Sequence, residues 1–494
     1  MDFICTCLLL FCWYVRPQDI FAIISGVSVV KYLMYVGIIA TLRRPGGFSR
    51  ALLWAGPMDW LITAYCVWAI YVTPEHTATA KEVFTYFTFH VVTALALTSW
   101  RRIEIYLNCW FGCLGILALM AVSTHWGFEL VKGSAELTVA FHDRLTLNTW
   151  VFRNPNALAH GVMALIPGGI AWFLMAGSKH RLLGMVLVGL AIHCVLLTQS
   201  KGAFLAGAGA LTMVYLFKRP AWFQVVVLVV VYAVGLAALK SLPRMDTLSK
   251  SDEGIQGRMI VWQQAKASME ASTYGVGLKL FQGFVPIRLA RLHRTFYMPI
   301  ATHGSYVRHG ADLGYVGLML FAGIFYGGAR LLLTAQTEQN SEARRAQRAI
   351  YALLITATIS CWVVDRAYHM DLFLLSGLLS AFHRRFRSPS KTAAQLESED
   401  PDEPESNGPL RLPAYSAAPA AESAAAREKP QTPSGKAASE EEAAAEAANK
   451  EPDRHGAIWI QWNRLGVVDV VMMYVLLKVL LYYWELFSTD FVVF

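Results

Sequence analysis

Four short patches in this 494-residue chain hold side chains able to do chemistry. The densest is Ala301–Gly317, ATHGSYVRHGADLGYVG, where His303, Arg308, His309 and Asp312 stand before and inside a long apolar run. Upstream, Gly257-Arg258 precedes Trp262 in a stretch of helical character, and Tyr274-Gly275-Val276-Gly277 ends that stretch as a turn. An aromatic ring at i+4 is placed to pack on the Arg258 guanidinium. A third patch runs from His142-Asp143-Arg144 to Trp150-Val151-Phe152-Arg153-Asn154-Pro155-Asn156. Its Pro-flanked Asn pair reads as a turn entering a helix, with Asn156 as the N-cap. The fourth, Thr198-Gln199-Ser200-Lys201-Gly202, is a polar break between two apolar stretches.

These residue types suit work on a phosphate-bearing substrate. A histidine titrates near neutrality, so His303 is a candidate base or hydrogen-bond donor. Arg258 and Arg153 are candidates to grip a diphosphate bidentately, and Lys201 to assist as a point charge. Each has a plainer reading. A lysine at a membrane surface snorkels, and a lone histidine at a helix start is more often structural than catalytic. His303 and His309 are six residues apart, off a common helical face, and no carboxylate stands at ligand spacing, so a metal is the weaker alternative. No cofactor motif is present.

The elements that must position these residues are membrane helices. The chain is 55% hydrophobic and 16% charged, with mean hydropathy +0.40, whereas soluble domains carry about 25% charged residues. Runs long enough to span fall near 3–15, 20–41, 51–72, 83–99, 104–123, 157–177, 182–198, 203–217, 222–239, 311–333, 349–365 and 370–383, with a further amphipathic or spanning helix near 465–487. The first run is followed by Arg16-Pro17-Gln18-Asp19 and not by a small-residue cleavage site, so it is expected to stay in the membrane. Basic clusters at Arg43/Arg44/Arg50, Arg101/Arg102, Lys179/Arg181, Lys218/Arg219, Arg344/Arg345/Arg348 and Arg384/Arg385/Arg387 share one side if the N-terminus is cytoplasmic. The other side then receives the four patches and a long basic loop, 240–309. That loop is either a solvated linker or an anion site.

The domain reading is a polytopic catalytic domain over 1–387 containing loop 240–309, a disordered cytoplasmic Ala/Glu/Pro-rich segment over 388–455, and a C-terminal apolar helix over 456–494. The eight cysteines lie in apolar segments without disulfide or zinc spacing. The formal net charge of +8 accompanies no nucleic-acid module, and an anionic lipid-borne substrate accounts for it more simply.

Taken together and in order, the patches resemble motifs of the O-antigen ligase and polymerase superfamily of bacterial envelope glycosyltransferases, over residues 145–330. Arg153-Asn154-Pro155-Asn156 resembles the family's Asn-Pro-Asn turn. Thr198-Gln199-Ser200-Lys201-Gly202 resembles its Thr-x-Ser-Arg-Gly motif, with Lys201 where Arg is usual. Gly257-Arg258 with Trp262, then Gly275-Val276-Gly277, resembles its Arg-x-x-x-Trp and Gly-x-Gly block. His303-Gly304-Ser305-Tyr306, Asp312-Leu313-Gly314 and Gly317-Leu318 resemble its His signature, with Gly304 where Asn often follows the His. Tyr14-Val15-Arg16-Pro17-Gln18-Asp19 looks like the O-glycosylation ligase subgroup found with exosortase systems.

The resemblance implies an all-α polytopic fold of about twelve transmembrane helices with a large helical extracytoplasmic loop, in the bacterial inner membrane with its active site facing the periplasm. It implies transfer of a glycan from a polyprenyl (undecaprenyl) diphosphate carrier to a lipid-core or protein hydroxyl, in cell-envelope polysaccharide biosynthesis. His303 and Arg258 would be catalytic, Arg153, Lys201 and Arg258 would bind the diphosphate, and Asn156, Trp262 and Asp312 would support them. The alternatives are a polymerase of the same superfamily and, further off, a polytopic transporter or flippase. A transporter would place charges at the midplane of repeated, broken helices, and no internal repeat is evident.

Overall fold

The computed structural model describes residues 1–44, 54–175, 180–220, 222–227, 229–230, 253–289, 294–335, 341–387 and 465–489. The segment 388–455 and the run 231–252, with Lys240, Arg244 and Lys250, lie outside the described residues.

The first half of the chain supplies α1 (Asp2–Tyr14), α2 (Val29–Arg43), α3 (Pro57–Val72), α4 (His76–Ala96) and α5 (Trp100–His125). The second expected span, 20–41, begins only at Val29. Gly26 turns at φ +86° and breaks the apolar run into a short helix, Pro17–Ile20, and a 3-10 turn, Ala22–Ile24. Next come α6 (Pro155–Leu174, whose last turn is π-helical), α7 (Arg181–Thr198) and α8 (Lys201–Leu216). Helix α9 (Glu253–Ala271) leads to strands β1 (Gly283–Leu289) and β2 (Arg294–Ile300). The chain closes with α10 (Ser305–Thr334), α11 (Ser341–Val363), α12 (Met370–Arg387) and α13 (Val467–Thr489).

Among the described residues, six helices are long and apolar enough to cross a bilayer: Trp100–His125, Pro155–Leu174, Arg181–Thr198, Ser305–Thr334, Ser341–Val363 and Val467–Ser488. The fold is helical apart from one correction. The second half of the loop over 240–309, expected to be helical, forms an antiparallel β-hairpin pairing Gly283 with Ile300 and Leu289 with Arg294. Gln264 of α9 docks the hairpin by donating to the Phe284 carbonyl (2.7 Å) and accepting from its N–H (2.9 Å).

Helix α10 is central. It packs on α3, α9, α11 and α13, and its glycines let neighbours approach closely, as is usual where lipid supplies no hydrophobic drive. A Cβ on Gly323 would lie 2.4 Å from Met473 of α13, and one on Gly327 2.8 Å from Leu61 of α3. By contrast, α7 and α13 bury only 33% and 28% of their spanning windows. Their exposed Leu182, Val186, Ile192, Val470 and Tyr482 suit contact with acyl chains.

One group of basic residues gathers at one end of the bundle. Arg44 and Arg102 both approach Asp2 (3.5 and 3.8 Å), and Arg345 pairs with Glu104 (3.1 Å). Arg384 donates to the Ala94 carbonyl (3.0 Å) and to Asp59 (3.3 Å), at the start of α3. The opposite end carries the patches that drew attention in the sequence.

Candidate active site

At that opposite end the N-termini of α6, α8 and α10 meet. Asn154, not Asn156, caps α6. Its side chain accepts from the Asn156 N–H (2.8 Å), because Pro155 takes the first helical position, where its missing N–H costs nothing. Asn156 accepts instead from Arg144 (2.7 Å), whose Nε donates to the Thr198 carbonyl (3.0 Å). Arg144 thereby ties the Asn-Pro-Asn turn to the turn before α8. There Gln199 sits at φ +50°, Ser200 caps α8 by accepting from Ala203 N–H (3.4 Å), and half-buried Lys201 is the first helical residue. Gly202 allows close contact: a Cβ there would lie 2.1 Å from Val363 and 3.3 Å from His160 Nε2. Val363 closes α11, and the next carbonyl, Val364, accepts from Ser305 Oγ at the start of α10 (2.9 Å).

His303 stands immediately before α10 with φ +51°, a left-handed conformation uncommon outside glycine. Its neighbours fix it. The Trp262 indole N–H donates to the Thr302 carbonyl (2.7 Å), Thr302 Oγ1 donates to Asp365 (3.0 Å), and the Arg366 N–H donates to Ser305 Oγ (2.9 Å). Gly304 lies over the Trp262 ring, where a Cβ would come within 3.2 Å. Trp262 therefore acts as a floor for the His303 turn. Arg258, one turn earlier on α9, is half-buried. It lies within electrostatic reach of both His303 and His160. Burial, and then the Arg258 charge, lower the His303 pKa to about 4, so its imidazole is neutral at physiological pH.

Arg153 is exposed and lines a polar cleft of about 360 Å³ with Gln18, Asp19, Lys132, Asn148 and Trp150. The cleft adjoins the site through Trp150, whose ring packs on His369 at 5.8 Å between centroids. Asp312 is wholly buried. It accepts from Arg308 Nε (2.7 Å), Tyr368 OH (2.6 Å) and the N–H groups of Lys279 (3.1 Å) and Phe281 (2.8 Å). This carboxylate binds the chain after α9 onto α10. His309 faces inward, sharing hydrogen bonds with Tyr65 OH and the Ser305 carbonyl (both 2.8 Å), and is structural.

Sequence reasoning missed the 364–369 connection. There Arg366 pairs with Asp371, and Asp365 accepts from Thr302 Oγ1. Burial raises the Asp365 pKa from its ordinary range, although Arg308 opposes the effect. His160, also missed, shares a hydrogen bond with Ser360 (2.8 Å) and leaves Nε2 toward Gly202. Neither is marked by a local motif. Among the described residues no three His, Cys, Asp or Glu side chains gather as metal ligands.

A search of curated proteins finds no match. Residues 186–322 match the family model described as O-Antigen ligase, a stretch running from α7 into α10. It holds Lys201, Arg258, Trp262, His303 and Asp312 and leaves Arg153 and Asn156 just outside. Over that stretch the chain is similar to the O-antigen ligase family.

Proposed function

We propose that this protein is a glycosyltransferase that moves a glycan from a polyprenyl diphosphate to a hydroxyl of a lipid core or a protein. It does so at the periplasmic face of the inner membrane, within a catalytic domain over 1–387 of about twelve spans. The observation that carries this reading is the meeting of three helix N-termini beside Arg258 and Lys201, with His303 at their rim. Helix N-termini present N–H groups and a partial positive charge, and so favour an anion of the diphosphate kind.

The chemistry needs little more. The acceptor oxygen attacks the anomeric carbon as the carbon–oxygen bond to the diphosphate breaks, with inversion. The acceptor proton passes to His303, and the charge left on the diphosphate is held by Arg258, Lys201 and Arg153. Fixed cations aimed at developing charge supply much of such a rate enhancement. Neutral His303 is in the protonation state a base requires. Trp262 and Asp312 support this arrangement by holding the His303 turn and the chain after α9, and Asn156 does so through Arg144.

The test is surface glycan in a host lacking the gene and carrying His303→Ala or Arg258→Ala. Loss of glycan from cells whose variants remain membrane-inserted is the expected result. Normal glycan in such cells overturns the assignment. Mass spectrometry of glycolipids and glycoproteins from the same strains identifies the acceptor and separates a ligase from a polymerase.

A further inference from the structure

Helix α13 is separated from α12 by residues 388–466 and lies well beyond the family match, yet it reaches the site. It runs antiparallel to α10. At one end Asp469 accepts from Tyr326 OH (2.9 Å) and pairs with Arg330 (3.2 Å), near the C-terminal end of α10. At the other end it grips α9. The Trp484 N–H donates to the Trp262 carbonyl (3.1 Å), Gln263 donates to the Ser488 carbonyl (2.8 Å), and Lys266 pairs with Glu485 (3.1 Å). Trp484 is 1% exposed although its helix is mostly turned to lipid. Its ring fills the space over Gly310, where a Cβ would lie 2.6 Å away. Phe487 packs on both Trp262 and Trp362 (6.4 and 6.1 Å).

The Trp484 hydrogen bond therefore ends on the residue whose side chain holds the Thr302 carbonyl beneath His303. Trp262 lies one helical turn from Arg258. A helix that served only to anchor the chain would not need its one fully buried aromatic to bridge α9 and α10 here.

We infer that α13 is a positioning element of the transfer reaction: through Trp484 it sets α9, and with it Arg258 and Trp262, against the His303 turn. This rests on the function proposed above. In structural terms, loss of the bridge leaves the diphosphate cations present but displaced, and a displacement of about 1 Å can cost a large factor in rate.

The experiment uses full-length protein in membranes, with lipid-linked glycan extracted from the deletion host as donor. Trp484→Leu is expected to lower turnover at saturating donor by roughly tenfold or more, with the donor KM little changed. Trp484→Phe keeps a ring over Gly310 but lacks the donor N–H, and restores part of that loss. Asp469→Asn loosens the far end of the same helix and lowers the melting temperature, yet leaves turnover within about twofold of wild type, because no contact near His303 changes. Wild-type turnover in Trp484→Leu overturns the inference. So does an equal loss in Asp469→Asn at an equal drop in melting temperature, which would reduce α13 to a stabilising strut. Arg258→Ala serves as control. If it transfers normally, the functional reading itself falls; if it is dead while Trp484→Leu is normal, only the positioning role falls.

Discussion

His303 shows how a single residue is prepared. A non-glycine residue in the left-handed region costs about 1–3 kcal/mol unless its surroundings over-determine it. Here the Trp262–Thr302 bond precedes it and the Ser305–Val364 bond follows it. The same packing removes water, and Arg258 adds a positive neighbour, so protonation is disfavoured twice. A group whose pKa is depressed in this way stays neutral until the pH falls through the lowered value. The acidic limb of kcat/KM reports the free enzyme's base. Its midpoint is expected near 4, well below the ordinary value of 6.5. Replacing Arg258 by Gln removes one of the two causes and, on residual turnover, moves the limb upward. A limb already at 6.5 in wild type, or one that shifts downward in Arg258→Gln, would exclude His303 as the titrating base.

At the scale of elements, the join between α9 and α10 is built from backbone. Gly314 interrupts α10 with φ +68° and ψ −166°. The carbonyls released there are taken by incoming N–H groups: Val276 donates to Ala311 (3.1 Å), Gly277 to Asp312 (2.7 Å), and the Trp68 indole to Leu313 (2.9 Å). A Cβ on Gly314 would lie 2.1 Å from the Thr273 carbonyl oxygen. Gly314→Ala thus combines a strained φ with a backbone clash and is expected to destabilise by roughly 2–4 kcal/mol, near the top of the range for point changes. A thermal melt of the purified protein checks this, and a melt unchanged from wild type would contradict it. The two motifs meeting here were visible in the sequence as separate glycine signals, because a turn and a kink each leave a local mark. Their docking was not visible, since nothing local says which carbonyls a kink frees for which amides. The same limit hid Arg144, Asp365 and His160, whose partners lie 54, 63 and 200 residues away. The hairpin was obscured by Pro286 and Pro299, residues that count against a strand. Asn154 could have been chosen over Asn156 from Pro155 alone.

For the whole molecule, charge is sorted by end. Arg44, Arg102, Arg345 and Arg384 collect around Asp2, Glu104 and Asp59 at one pole, whereas Arg258, His303, Arg366 and the polar cleft of Arg153 belong to the other. Cationic loops are retained in the cytoplasm, so this sorting predicts which pole faces outward. Cysteine labelling of intact cells decides the matter. Lys132 lines the cleft and Arg101 flanks Arg102 at the opposite pole, and both are exposed. The native thiols are buried or half-buried, which keeps the background low. Lys132→Cys is expected to react with a membrane-impermeant maleimide added to cells whose outer membrane has been opened. Arg101→Cys should react only after the inner membrane is breached. The reverse pattern would put the three helix N-termini in the cytoplasm, where a glycan ligase of this design would lack access to envelope acceptors, and the proposed reaction would have to be given up together with the orientation.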